Sequence, residues 1–137
     1  MLKGQCLCGQ VTYTSEQGPL LTFVCHCQHC QRQSGSAFSV NVLVKADTIQ
    51  ITGTLKRYLD TAASSNTLAR RFCPDCGTPV LSQSEQQPAW LVLKAGTLDD
   101  PQQVQPTTQI WCTRAQPWCP LPEIRIKHLQ NFPDKAP

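Results

Sequence analysis

The chain has few of the features that mark a specialised class of protein. No apolar run approaches the roughly 20 residues a membrane helix needs, so no membrane partner is expected. Only 15 % of the residues are charged, and basic residues exceed acidic ones by 12 to 9. So low a charged fraction argues against a disordered or coiled-coil chain. So mild a balance gives no electrostatic reason to expect a nucleic-acid partner. No stretch longer than about ten residues keeps a helical period, and the 11 prolines discourage long helices. There is no internal repeat, low-complexity tract or linker. The 137 residues are the length of one domain, and 1–137 is expected to be a single one.

The feature in excess is cysteine, with nine residues. Secretion is the first explanation for so many in a small protein. The segment Met1-Leu2-Lys3-Gly4-Gln5 leads straight into Cys6 and Cys8 with no apolar h-region and no cleavage site. An odd count fits a closed disulfide framework poorly, and pairs one residue apart (Cys6/Cys8, Cys25/Cys27) rarely reach disulfide geometry without strain. Metal-bound thiolates in a reducing, cytoplasmic compartment are the better expectation.

Strand signals dominate the rest. Val11 and Tyr13 alternate with Thr12 and Thr14. Phe38, Val40, Val42 and Val44 sit at period 2, with Ser39 and Asn41 between them. Ile49 and Ile51 alternate with polar neighbours, as do Ile124 and Ile126. This patterning predicts half-buried antiparallel strands. Ala89-Trp90-Leu91-Val92-Leu93 reads as a strand buried on both faces. Short helices are expected near Gln31–Ser34 and Leu98–Gln102, and a frayed tail over Asp134 to Pro137. The predicted fold class is mainly β, built of antiparallel sheets.

Seven cysteines fall in three clusters: Cys6-Leu7-Cys8-Gly9, Cys25-His26-Cys27-Gln28-His29-Cys30, and Cys73-Pro74-Asp75-Cys76-Gly77. In Cys73–Cys76 a tight turn brings both sulfurs to one side, and Gly77 tolerates the backbone twist that follows. Cys6 and Cys8, two apart on an extended segment, face the same way, as do Cys25 and Cys27. A structural zinc site takes four ligands and is closed, whereas three protein ligands with an open position mark a catalytic one. Cys6/Cys8 with Cys73/Cys76 make four. Cys25, Cys27 and Cys30 make three.

Other readings stay open. His26, His29 or Cys112 could complete a second closed site, and the middle cluster could hold iron–sulfur. A zinc ribbon on nucleic acid lacks a basic patch interleaved with aromatics. Period 2 turns His26 away from the Cys25/Cys27 face, toward solvent or behind the ligands. Cys112 and Cys119 read as small buried hydrophobes.

The opening CxCG, the middle CHCxxC followed by Arg32 and Ser34-Gly35, and the later FCPDCG resemble the glutathione-dependent formaldehyde-activating enzyme family, to which the centromere protein V group is similar. The likeness continues through Ala95-Gly96-Thr97-Leu98-Asp99-Asp100-Pro101 and spans about residues 2–120. It implies a β-tent fold of antiparallel sheets pinned at zinc. It implies two zinc ions per chain: a structural one on Cys6, Cys8, Cys73 and Cys76, and a catalytic one on Cys25, Cys27 and Cys30. It implies a carbon–sulfur lyase whose type reaction joins formaldehyde and glutathione into S-hydroxymethylglutathione. Gln109 departs from the pattern, since the family often carries His there, and this leaves its role open. A glutathione-like thiol is anionic, and Arg32, Arg70, Arg71 or Arg114 are candidates to receive its carboxylates. The alternative is a non-enzymatic zinc module that serves as an interaction or chaperone-like platform.

Overall fold

The computed structural model describes residues 1–133; the tail expected to fray, Asp134 to Pro137, lies outside the described residues. The fold is mainly β. A three-stranded sheet has the order β1 (Leu2–Gln5), β2 (Thr12–Ser15), β5 (Ile49–Thr52). An eight-stranded sheet holds β3 (Leu21–Cys25), β4 (Ser39–Lys45), β6 (Lys56–Thr61), β7 (Thr67–Phe72), β8 (Pro79–Ser84), β9 (Trp90–Lys94), β10 (Thr108–Ile110) and β11 (Ile126–Lys127), in the order β11-β10-β3-β4-β9-β8-β7-β6. The pairings are antiparallel as expected, except that β10 runs parallel to both β3 and β11. One α-helix, α1 (Gln28–Ser34), begins three residues before the predicted one, because Cys27 rather than a later residue caps it. The region around Leu98–Gln102 forms two single 3₁₀ turns, Ala95–Thr97 and Pro101–Gln103.

Cross-strand register divides the large sheet into two unlike faces. Side chains alternate along each strand, and directly opposed residues share a face. Val42 opposes Leu93, Val44 opposes Leu91, and Leu81 also opposes Leu93. These residues pack with Leu2, Val11 and Tyr13 of the small-sheet region into the main core, which also takes in Cys6 and Cys73. The opposite face carries Cys25 against Ser39, Asn41 against Lys94, and Arg70 against Ser82. It is the polar face of the alternation, yet Ser39, Asn41, Arg70, Ser82 and Lys94 are all buried. The "half-buried" expectation for residues 38–44 is therefore corrected: both faces of β4 are covered.

Two other expectations change in detail. In β9, Leu91 and Leu93 enter the core while Trp90 and Val92 stay half-buried on the polar face. The alternation around Ile124 and Ile126 yields only the two-residue edge strand β11, with Ile126 55 % exposed. No layer packs over that edge among the described residues, so alternation there does not produce burial.

Candidate functional site

Two strand-linked turns bring together the first and third cysteine clusters. Gly9 N–H closes on the Cys6 carbonyl at 3.1 Å, and Gly77 N–H closes on the Cys73 carbonyl at 2.9 Å. Both glycines adopt positive φ (77° and 74°), the left-handed conformation in which a side chain would be strained. Cys6 and Cys8 thus converge through a turn rather than along an extended segment. The Val11 amide donates to the Cys6 sulfur at 3.3 Å. Thr78 Oγ1 lies 3.1 Å from the Cys76 sulfur and accepts the Leu7 amide at 3.0 Å, which ties the two turns to each other. All four sulfurs of Cys6, Cys8, Cys73 and Cys76 lie within 4.8 Å of one another. Cys6 and Cys8 sulfurs are 3.6 Å apart, and those of Cys8 and Cys73 3.7 Å. A tetrahedral zinc with bonds of about 2.3 Å separates its sulfurs by about 3.8 Å, so the donor set fits that group. All nine cysteines are free thiols.

The middle cluster is built where β3 meets α1. Cys25 ends the strand; Cys27 caps the helix, its sulfur accepting the Cys30 amide at 3.3 Å; Cys30 lies in the first turn. A strand-to-helix corner, not a shared strand face, brings the three sulfurs within 4.8 Å. All three residues are buried. Among the described residues no His, Asp, Glu or further Cys joins them within that distance. Three thiols with one side free suit a metal held by three protein ligands.

Neither histidine completes the set. His29, half-exposed, places Nδ1 3.0 Å from both carboxylate oxygens of Asp60. His26 is 2 % exposed, which excludes the first of its two expected positions, toward solvent, and leaves the one behind the cysteines. Its ring lies edge-on to Phe38, and its Nε2 sits 2.7 Å from Gln109 Oε1. Gln109 Nε2 in turn donates to the carbonyls of Leu121 and Ile124. Gln109 is thus fully engaged inside the protein. Cys112 and Cys119 are half-buried rather than buried, and neither joins a cluster.

The three sulfurs open onto a cavity of about 430 Å³ floored by the polar sheet face. One end is apolar, with Phe23, Ile110, Trp111 and Phe132; Phe23 and Phe132 stack edge-on at 5.1 Å. Trp111 holds its place with φ 57°, an uncommon conformation for a bulky residue, and its amide donates to the Gln130 carbonyl.

The other end is cationic. The Lys94 ammonium donates to Ser39 Oγ at 2.9 Å and Asn41 Oδ1 at 3.0 Å. The Arg70 guanidinium donates through Nε to Asp60 at 2.7 Å and through a terminal nitrogen to Gln33 Oε1 at 3.1 Å. Hydrogen bonds from Cys25 and then Cys27 hold the Cys30 thiol well below the ordinary range against the effect of burial; Lys94 and Arg70 add to this. Burial pulls the Lys94 ammonium down, opposed by the Cys30 sulfur. Burial alone would raise the Asp60 carboxyl, but the bonds from Arg70 and His29 outweigh it and hold it low. Of the four candidate arginines only Arg70 lines this cavity; Arg32 and Arg114 are exposed, and Arg71 reaches Gln83.

Nothing in the local pattern marks Asn41 and Ser39 as site residues, and for Lys94 the signal is a lysine closing the apolar run Trp90-Leu91-Val92-Leu93.

A mainly β scaffold with a four-sulfur and a three-sulfur cluster defines a class of cysteine-rich proteins able to hold metal ions. Within that class the chain belongs to the glutathione-dependent formaldehyde-activating enzyme family, whose model matches residues 1–114. No curated protein matches the chain. Among solved structures, a Rhodobacter sphaeroides protein superposes with a TM-score of 0.58 at 17 % identity, covering 92 % of this chain and 98 % of that one. At that identity the likeness concerns the fold. No described helix is long and apolar enough to cross a membrane.

Proposed function

We propose that the protein is a zinc-dependent carbon–sulfur lyase acting on a thiol–aldehyde adduct of the S-hydroxymethylglutathione kind. The family supplies the glutathione and formaldehyde. The observation that carries the reading is the three-sulfur corner opening on a cavity. In this reading Cys6, Cys8, Cys73 and Cys76 hold a structural zinc, and Cys25, Cys27 and Cys30 hold a second, catalytic one. Zinc on the three cysteines would offer a coordination position to a substrate sulfur and favour its thiolate form.

The chain's own residues do the rest. The β3–α1 corner fixes the sulfurs and, with them, where the substrate sulfur enters. Trp111 and Phe132 line the apolar end. Arg70, braced by Asp60 and Gln33, offers its guanidinium to a substrate carboxylate. Alignment of thiol and aldehyde is the larger contribution, because three thiolates leave a divalent ion little Lewis acidity.

The test is metal and thiol titration. Purified protein should carry two zinc ions per chain, and Cys27→Ser should carry one. With cobalt in place of zinc, glutathione should change the visible spectrum. One zinc per chain, full metal in Cys27→Ser, or a spectrum indifferent to thiols would favour a non-enzymatic module instead.

A further inference from the structure

We infer that Lys94 is a catalytic residue that holds the aldehyde-derived oxygen of the substrate by a hydrogen bond from its ammonium group. The inference rests on the lyase reading above and names a group that reading does not use.

Lys94 is 8 % exposed, and no carboxylate pairs with it among the described residues. Buried ammonium groups are rare unless paired. Its two partners, Ser39 and Asn41, are neutral, and Asn41 stands opposite it in the β4–β9 register. They use two of its three protons. The charged and titratable groups that face it are the sulfurs of Cys30, Cys25 and Cys27, and Arg70. Lys94 also lines the cavity onto which those sulfurs open. A buried cation is therefore fixed by two neutral acceptors, with one N–H left to point at something in the cavity.

The reaction generates a demand for that donor. When the thiol adds to formaldehyde, the sulfur lone pair forms the C–S bond and the carbonyl π pair moves to oxygen. That oxygen takes the proton the thiol gave up, exchanged through solvent, so RSH and H₂CO give RSCH₂OH with nothing left over. In the lyase direction the C–S pair returns to sulfur and the hydroxyl loses its proton. In both directions negative charge builds on one oxygen beside the sulfur. A donor already fixed in place stabilises such charge without reorganising. Lys94 keeps its own protons throughout. Ser39 and Asn41 are positioning residues that hold its head in place.

The experiment measures formation of S-hydroxymethylglutathione above the spontaneous rate by the metal-loaded protein and by Lys94→Met, with metal content and thermal unfolding of each. The expected result is a folded K94M with unchanged metal per chain, a KM for glutathione within about threefold, and a kcat lower by on the order of 100-fold. A folded, loaded K94M with near-native kcat overturns the role of Lys94 and leaves the lyase reading standing. Loss of metal from K94M also overturns it, since Lys94 would then serve only as countercharge to the cysteines. A native protein that gives no acceleration overturns the lyase reading itself, and this inference with it. Should K94M not fold, Asn41→Ala removes one of the two anchors; kcat should fall by about tenfold at unchanged KM, and an unchanged kcat overturns the role.

Discussion

The Nε2 of His26 lies 2.7 Å from Oε1 of Gln109, and both side chains are buried. Because Gln109 Nε2 donates to two carbonyls, its oxygen is the end left to accept from the imidazole. The pair joins the cysteine corner to the segment after β10. Gln109→Leu keeps the volume but removes the partner of the imidazole and of the Ile124 carbonyl, while the Leu121 carbonyl keeps the Ile124 amide. It should cost about 1–3 kcal/mol for each group left buried without a partner. Denaturant unfolding should show the loss, with the metal content of the purified protein unchanged. A variant as stable as the native protein would show that the His26–Gln109 pair does not hold the two segments together.

The Asp60–Arg70 pair predicts a pH dependence. Asp60 is held low in the folded state, so its contribution is present above the unfolded carboxyl value of about 4 and is lost as pH falls through the lower folded value. Asp60→Asn leaves Arg70 buried without its countercharge and should destabilise by about 3–5 kcal/mol at neutral pH. The gap between variant and native protein should close on acidification. An equal gap at pH 7 and in acid would show that the pair does not act through charge.

The two cysteine clusters should differ in what their loss does. Cys6 and Cys73 sit in the main core, and their cluster closes a loop of 65 residues between Cys8 and Cys73. Metal bound there, as proposed, would contribute folding energy. Cys73→Ser should lower Tm by on the order of 10–20 °C, and a strong chelator should do the same to the native protein. Cys27→Ser, at the corner of one sheet face, should lose metal with a much smaller change in Tm. Equal shifts in the two variants would contradict the division into a structural and a catalytic cluster.

The cysteine clusters were legible in the sequence because ligand motifs are local. CxxC and CxC spacings confine their sulfurs to a few ångströms whatever surrounds them, and the count of four and three matched how the structure groups them. The local backbone is less legible. Period 2 predicts Cys25 and Cys27 on one strand face, whereas a helix cap supplies the second sulfur. The strands at 12–15, 39–45 and 49–52 were legible from alternation, as was β9 from its apolar run. Strands β6 and β7, with Arg70 and Asp60, carry too many polar side chains to show that pattern.

By itself, then, the sequence determined a mainly β chain with two sets of converging thiols and the family to which it belongs. Tertiary structure decided what stands around the open set. Ser39 and Asn41 look like a solvent face in one strand. They become a buried floor only because β9 brings Lys94 opposite Asn41 from more than 50 residues away. Asp60 meets Arg70 across a hairpin, and His26 meets Gln109 over 83 residues. Each is a contact between polar groups that no local period encodes. Burial outside water makes such groups seek partners, and only the assembled sheet determines which partners they find.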